Sequence, residues 1–108
     1  SIERAPREKN LRSAVIQLRG WLRFDPGNPD LRRFMGEALA CLPEGHKEAL
    51  SLLAQLGVAD RLDAHQWAAL GWIYARGAKR RREAGAAIKR CVAAGGEERV
   101  CVDYCSSR

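Results

Sequence analysis

Little in the 108 residues suggests a membrane protein or an enzyme. No apolar run approaches the roughly 18 residues that a spanning helix needs, so no transmembrane segment is expected. Residues 1–20 lack the unbroken apolar core of a secretory signal, although an opening Ser1 is compatible with a processed upstream segment. The 4 cysteines are too sparse for a disulfide scaffold, which predicts reduced thiols and a cytoplasmic protein. Cys101 and Cys105 lie four apart, and two side chains so spaced on a regular helix are not placed for an unstrained bridge. Only 2 histidines occur, His46 and His65, each alone, whereas a zinc site wants four ligands at paired spacing. No phosphate-cradling glycine loop, His-Glu-x-x-His motif or serine nucleophile motif is present. No catalytic residue, metal or other cofactor is therefore expected, and the chain reads as a non-enzyme.

What is present is a soluble, globular composition. The 46% hydrophobic and 30% charged residues supply enough apolar surface to offset the entropy of ordering one small domain. Sliding the sequence against itself by 35 aligns Ala14, Ala49 and Ala84; Leu18, Leu53 and Ile88; and Trp21, Leu56 and Cys91. The same shift sets Met35-Gly36 on Leu70-Gly71, Ala38 on Ile73 and Leu39 on Tyr74. Apolar residues recur at helical spacing within each unit, as in Leu11, Ala14, Val15, Leu18, Trp21 and Leu22.

Pro6 suits the first turn of that helix, and Asp25-Pro26-Gly27-Asn28-Pro29 stops it. Asp30 is placed to cap a second helix whose stripe is Leu31, Phe34, Met35, Ala38 and Leu39. Further helices are predicted over about 47–56, 64–76 and 82–94, the last ending at Gly95-Gly96. A short sixth helix from about Glu97 would place Val102 and Cys105 in register with Trp67 and Leu70. No strand pattern appears. The expected fold is all-α: an α-solenoid of stacked antiparallel pairs, about five to six helices in one domain over 1–108. Its units fall at about 6–29, 30–63 and 64–98, with a partial unit at 99–108.

Trp67-x2-Leu70-Gly71-x2-Tyr74, followed by Ala84-x3-Ile88, resembles the tetratricopeptide repeat over residues 10 to 105. The middle unit keeps Met35-Gly36-x2-Leu39 and Ala49-x3-Leu53 but has Arg32 at the tryptophan position. The stretch 70–77, with Ala93-Ala94-Gly95, is also similar to a Sel1-like repeat, a sister family with the same architecture and adaptor role. Pentatricopeptide repeats share the 35-residue unit and bind RNA, but usually carry a larger apolar residue where Gly36 and Gly71 stand here.

The resemblance implies a concave groove lined by the first helix of each pair, binding a partner peptide or helix as an adaptor, scaffold or chaperone-like module. Projected onto this chain, the groove positions are Arg33, Glu37 and Cys41 in one unit and Ala68, Trp72 and Arg76 in the next. Trp72 is the expected anchor, with packing on a neighbouring helix as its alternative. Arg33 and Arg76 could pair with partner carboxylates, or Arg33 could pair with Glu37 along its own helix. The lysine and asparagine clamp that holds chaperone tails is not matched at Glu37, Ala68 and Trp72.

With 19 Lys plus Arg against 13 Asp plus Glu the net charge is +6, and Lys79, Arg80, Arg81 and Arg82 form its one dense run. No aromatic interleaves them, so the rival reading, a basic RNA-binding helical repeat, is the weaker one. Cys91 reads as a buried inert thiol and Cys41 as a thiol on the groove. Apolar flanks at the two open ends, with Val102, Tyr104 and Cys105 at the C-terminal one, suggest self-association or a longer array; as the alternative they cap the stack.

Overall fold

Proline and glycine punctuate the chain where the helices break. The computed structural model describes residues 4–58 and 62–106, and among them are six α-helices and no strand. Helix α1 spans Arg4–Phe24, with Pro6 in its first turn, and ends before Asp25-Pro26-Gly27. Helix α2 spans Pro29–Ala40. Its cap is Asn28, whose side chain accepts from the backbone N–H groups of Asp30 and Leu31. The cap thus lies two residues before the expected Asp30. Pro29 has no N–H to satisfy and takes the first helical position, which pushes the capping role upstream. Asp30 instead pairs with Arg33.

A 3-10 turn, Pro43–Gly45, leads into α3, His46–Val58. Helix α4 spans Ala64–Trp72 and then widens into a π turn, Ile73–Gly77, rather than staying α-helical to residue 76. Helix α5 spans Arg81–Ala93 and stops at Gly95, whose φ of 101° needs a residue without Cβ. Helix α6, Glu98–Val102, is short and is followed by a 3-10 turn, Tyr104–Ser106.

Helices α2 and α3 pack as one pair, and α4 and α5 as another; α1 lies on α2, and α4 also touches α2 and α6. The radius of gyration is 13.1 Å, as expected for a single domain near 100 residues, about 13 Å. Within each pair a glycine sets the approach. A Cβ on Gly36 would lie 2.6 Å from Leu53 Cδ2, and one on Gly71 would lie 3.1 Å from Ile88 Cγ1. Those two contacts are themselves 35 residues apart. Met35, Leu39, Leu53, Leu70 and Ile73 are buried around them.

Three expectations about faces are corrected. Trp21 and Phe34 were placed on buried stripes, yet both are about half exposed, because helical periodicity marks an apolar face without supplying a neighbour to cover it. In α6 the buried residues are Cys101 and Tyr104, not Val102 and Cys105. The Gly95-Gly96 turn and a bond from Cys101 to Cys91 set its phase.

The greater correction concerns the thiols. Cys41 is bonded to Cys105, with Cα atoms 5.4 Å apart, and Cys91 to Cys101, with Cα atoms 6.2 Å apart. No described cysteine is free, so neither the inert thiol at position 91 nor the exposed thiol at position 41 exists. Cysteine density is a poor guide here because the first pair joins residues separated by 64 positions.

Outside the core, α1 is tied to the next hairpin by ion pairs. Arg19 donates two hydrogen bonds to Glu48, at 2.8 and 2.9 Å, and Arg12 donates to Glu44. The Arg19 hydrogen bond holds the Glu48 carboxyl below its ordinary 4.5, against an opposing effect of burial.

Two outcomes follow from this packing. Gly36→Ala gains about 1 kcal/mol of helix propensity but forces a methyl into the fully buried Leu53, at about 1–3 kcal/mol. Urea unfolding should therefore show net destabilisation for Gly36→Ala and near neutrality for Gly71→Ala, where Ile88 is only half buried and can yield. A depressed carboxyl pKa contributes stability above its unfolded value that is lost as pH falls through the folded one. The wild-type unfolding midpoint should drop as pH falls below about 4.5, and Glu48→Gln should flatten that slope.

Candidate functional site

The N-terminus of α4 organises a cavity with a partly polar lining. Asp63 caps the helix by accepting from the Gln66 backbone N–H at 3.1 Å, while Gln66 Oε1 accepts from the Asp63 N–H at 3.0 Å. This reciprocal box leaves the Gln66 amide group one direction to point, and Nε2 donates to Glu37 Oε2 on α2 at 2.6 Å. Gln66 is only 2% exposed, so these bonds are what make its burial tolerable.

The second Glu37 oxygen accepts from the Tyr104 hydroxyl at 3.0 Å. The Tyr104 ring is itself buried and meets His65 edge-on at 6.3 Å. One half-buried carboxylate thus joins α2, α4 and the C-terminal turn.

Beside it opens a cavity of about 420 Å³ lined by Phe34, Glu37, Asp63, His65, Gln66, Val100 and Tyr104. Phe34 and Val100 present apolar surface at its rim, 53% and 42% exposed, over a polar floor. Such a combination orients a ligand by a few hydrogen bonds while apolar contact supplies affinity. Of the lining side chains Tyr104 carries a hydroxyl, buried and donated to Glu37, and none is a serine, threonine, cysteine or lysine. Among the described residues no three of His, Cys, Asp and Glu converge on a point that could hold a metal ion.

The predicted groove residues lie on or next to α2, α4 and the π turn, in differing surroundings. Glu37 lies in the cavity, but its neighbour one turn on, Cys41, is tied to Cys105. Ala68 is buried, and Arg33 pairs with Asp30. Trp72 is half buried against the core, and the Arg76 guanidinium stacks over its ring at 4.4 Å, so it is no free-standing anchor. Lys79, Arg80, Arg81 and Arg82 are exposed beyond the π turn, with Lys79 at a φ of 55°. Of Tyr104 and Cys105, expected as contacts for another molecule or as a cap, Tyr104 is buried and Cys105 is partly exposed and bonded to Cys41.

A second cavity of about 560 Å³ lies where Trp67, Leu70 and Tyr74 of α4 and the π turn face Ala54, Gly57, Ala86 and Ala87. Arg90 stacks on Trp67 at 4.6 Å at its edge.

Asp63, Gln66 and Phe34 were not among the expected site residues, and Tyr104 was expected only as a contact or cap at the C-terminal end. The Asp63-x-x-Gln66 box was legible as a helix-start signal. Nothing local announces that its glutamine would reach a carboxylate 29 positions away. Comparison of the chain with family models, with curated proteins and with solved structures finds no match.

Removing only the Tyr104 hydroxyl deletes a hydrogen bond to a charged acceptor, so Tyr104→Phe should cost about 1–2 kcal/mol in equilibrium unfolding. Phe34→Ala, at an exposed position, should stay within about 0.5 kcal/mol of wild type.

Proposed function

We propose that the chain is a helical-repeat interaction module, of the adaptor or scaffold kind, that binds a segment of another protein against α2 and α4. The observation that carries this reading is that the α2 and α4 face already holds a chain segment. The C-terminal turn sits on it, with Tyr104 buried and bonded to Glu37, and the 420 Å³ cavity beside that turn is left open. Affinity would come from Phe34 and Val100 at the rim, and orientation from Glu37 and His65.

Stacked antiparallel pairs support the solenoid reading, through the matching glycine approaches at Gly36 and Gly71. The tetratricopeptide-like or Sel1-like assignment rests on the sequence resemblance alone. A binding role suits a cavity lined by no serine, threonine, cysteine or lysine, whose Tyr104 hydroxyl is buried and committed to Glu37. Two disulfides suit an oxidising compartment better than the cytoplasm first expected. Among the described residues no helix is long and apolar enough to cross a membrane.

The competing RNA-binding reading draws on residues 79–82, all exposed. Selection of a random-peptide display library against the full chain tests the two. Enriched peptides should lose more than about 1 kcal/mol of affinity to Phe34→Ala, which leaves the fold intact, and respond weakly to salt. Trp72→Ala is the poorer probe because truncating a half-buried ring mixes folding with binding. Absence of enriched peptides, together with binding of a single-stranded oligonucleotide that falls steeply with salt and vanishes when residues 79–82 are neutralised, would transfer the function to RNA.

A further inference from the structure

We infer that the C-terminal turn is a strap over the binding face, released when a dithiol reductant opens Cys41–Cys105 while Cys91–Cys101 stays closed. The inference rests on the reading of α2 and α4 as a binding face. Tyr104 and Cys105 engage Glu37 and Cys41, two positions one turn apart on α2. The strap therefore sits on the very residues that a partner would meet.

The two disulfides differ in what surrounds them. Cys91 and Cys101 are 2% and 1% exposed, and Gly96 presses on both sulfurs. A Cβ at that position would lie 2.6 and 2.7 Å from them. Cys41 and Cys105 are both partly exposed. Exchange requires a thiolate to reach a sulfur, so access favours attack on the second pair. One thiolate of the dithiol attacks a sulfur of Cys41–Cys105, forming a mixed disulfide and expelling the other cysteine as thiolate. The second thiol of the reductant then displaces the first cysteine. Two electrons pass to the protein, which ends with two thiols, and the reductant ends as a disulfide.

Once that bond is open, the turn keeps the Tyr104 hydrogen bond, its ring against His65 and the packing of the ring, beside other contacts of Asp103, Tyr104 and Cys105. Helix α6 remains pinned to α5 through Cys101, so Asp103, which ends α6, becomes the hinge. Departure of Tyr104 enlarges the cavity by the space of an aromatic ring and leaves a Glu37 oxygen without its hydroxyl donor. The vacancy fits a partner segment that presents a tyrosine side chain.

The test uses the full oxidised chain, graded dithiothreitol, alkylation and amide exchange, with a labelled peptide of residues 97–108 carrying Cys101→Ser and Cys105→Ser as the probe. Cys41 and Cys105 should be alkylated at dithiothreitol concentrations at least about ten-fold below those that open Cys91–Cys101. Exchange at residues 104–106 should then rise about ten-fold or more, with helical circular dichroism unchanged. The peptide should bind the partly reduced chain and not the oxidised one. Cys105→Ser in the full chain should reproduce the opening without reductant; reduction of the wild-type protein makes the test independent of whether that variant folds. Simultaneous opening of both disulfides, retained protection at residues 104–106, loss of helix, or equal peptide binding to the oxidised chain would each overturn the strap. Release without peptide binding would preserve the strap and count against the binding reading instead.

Discussion

A carboxylate taken half out of water must find donors, and Glu37 finds them on elements 29 and 67 positions further along the chain. Gln66 arrives already oriented by the cap of α4, and Tyr104 arrives on a turn that the Cys41 bond holds in place. Because all three meet at one group, the position of α4 against α2 and the closure of the C-terminus are coupled. The cavity is a consequence of that meeting, since its floor consists of the same side chains that satisfy Glu37.

Around this hub the structure distributes charge economically. The net +6 is not gathered on the cavity. Two arginines of α1 are spent on Glu44 and Glu48, two others stack on Trp72 and Trp67, and the dense run at 79–82 projects from the turn after α4. The Arg76 guanidinium also covers the face of Trp72, the ring that sequence reasoning offered as an anchor. Large exposed apolar residues lie instead on α1, where Phe24 is 91% exposed, and at the cavity rim. The core and the cavity rim thus use different side chains: Leu53 and Ile73 are wholly internal, while Phe34 is half exposed.

Helix existence and order were legible in the residues because they depend on local signals. Apolar spacing, the Pro26, Pro29 and Pro43 breaks and the Gly95 stop place every helix within a few positions of where it lies. The close approaches at Gly36 and Gly71 were also foreseeable, since a residue without a side chain in an apolar stripe marks contact between helices. The errors share another character. Trp21 and Phe34 were assigned to buried stripes by periodicity, which reports the faces of a helix but not whether a neighbour covers them. The phase of α6 was extended from the 35-residue shift, whereas a bond to Cys91 set it.

By itself, then, the sequence determined a set of helices, their breaks and the small residues that let pairs close, all of them properties of a residue and its neighbours within a turn or two. Only the tertiary structure decided that Cys41 meets Cys105 and that Gln66 and Tyr104 converge on Glu37. Those outcomes depend on where distant segments are carried by the packing of everything between them, and a one-dimensional pattern does not encode a separation of 64 residues as a distance of 5.4 Å.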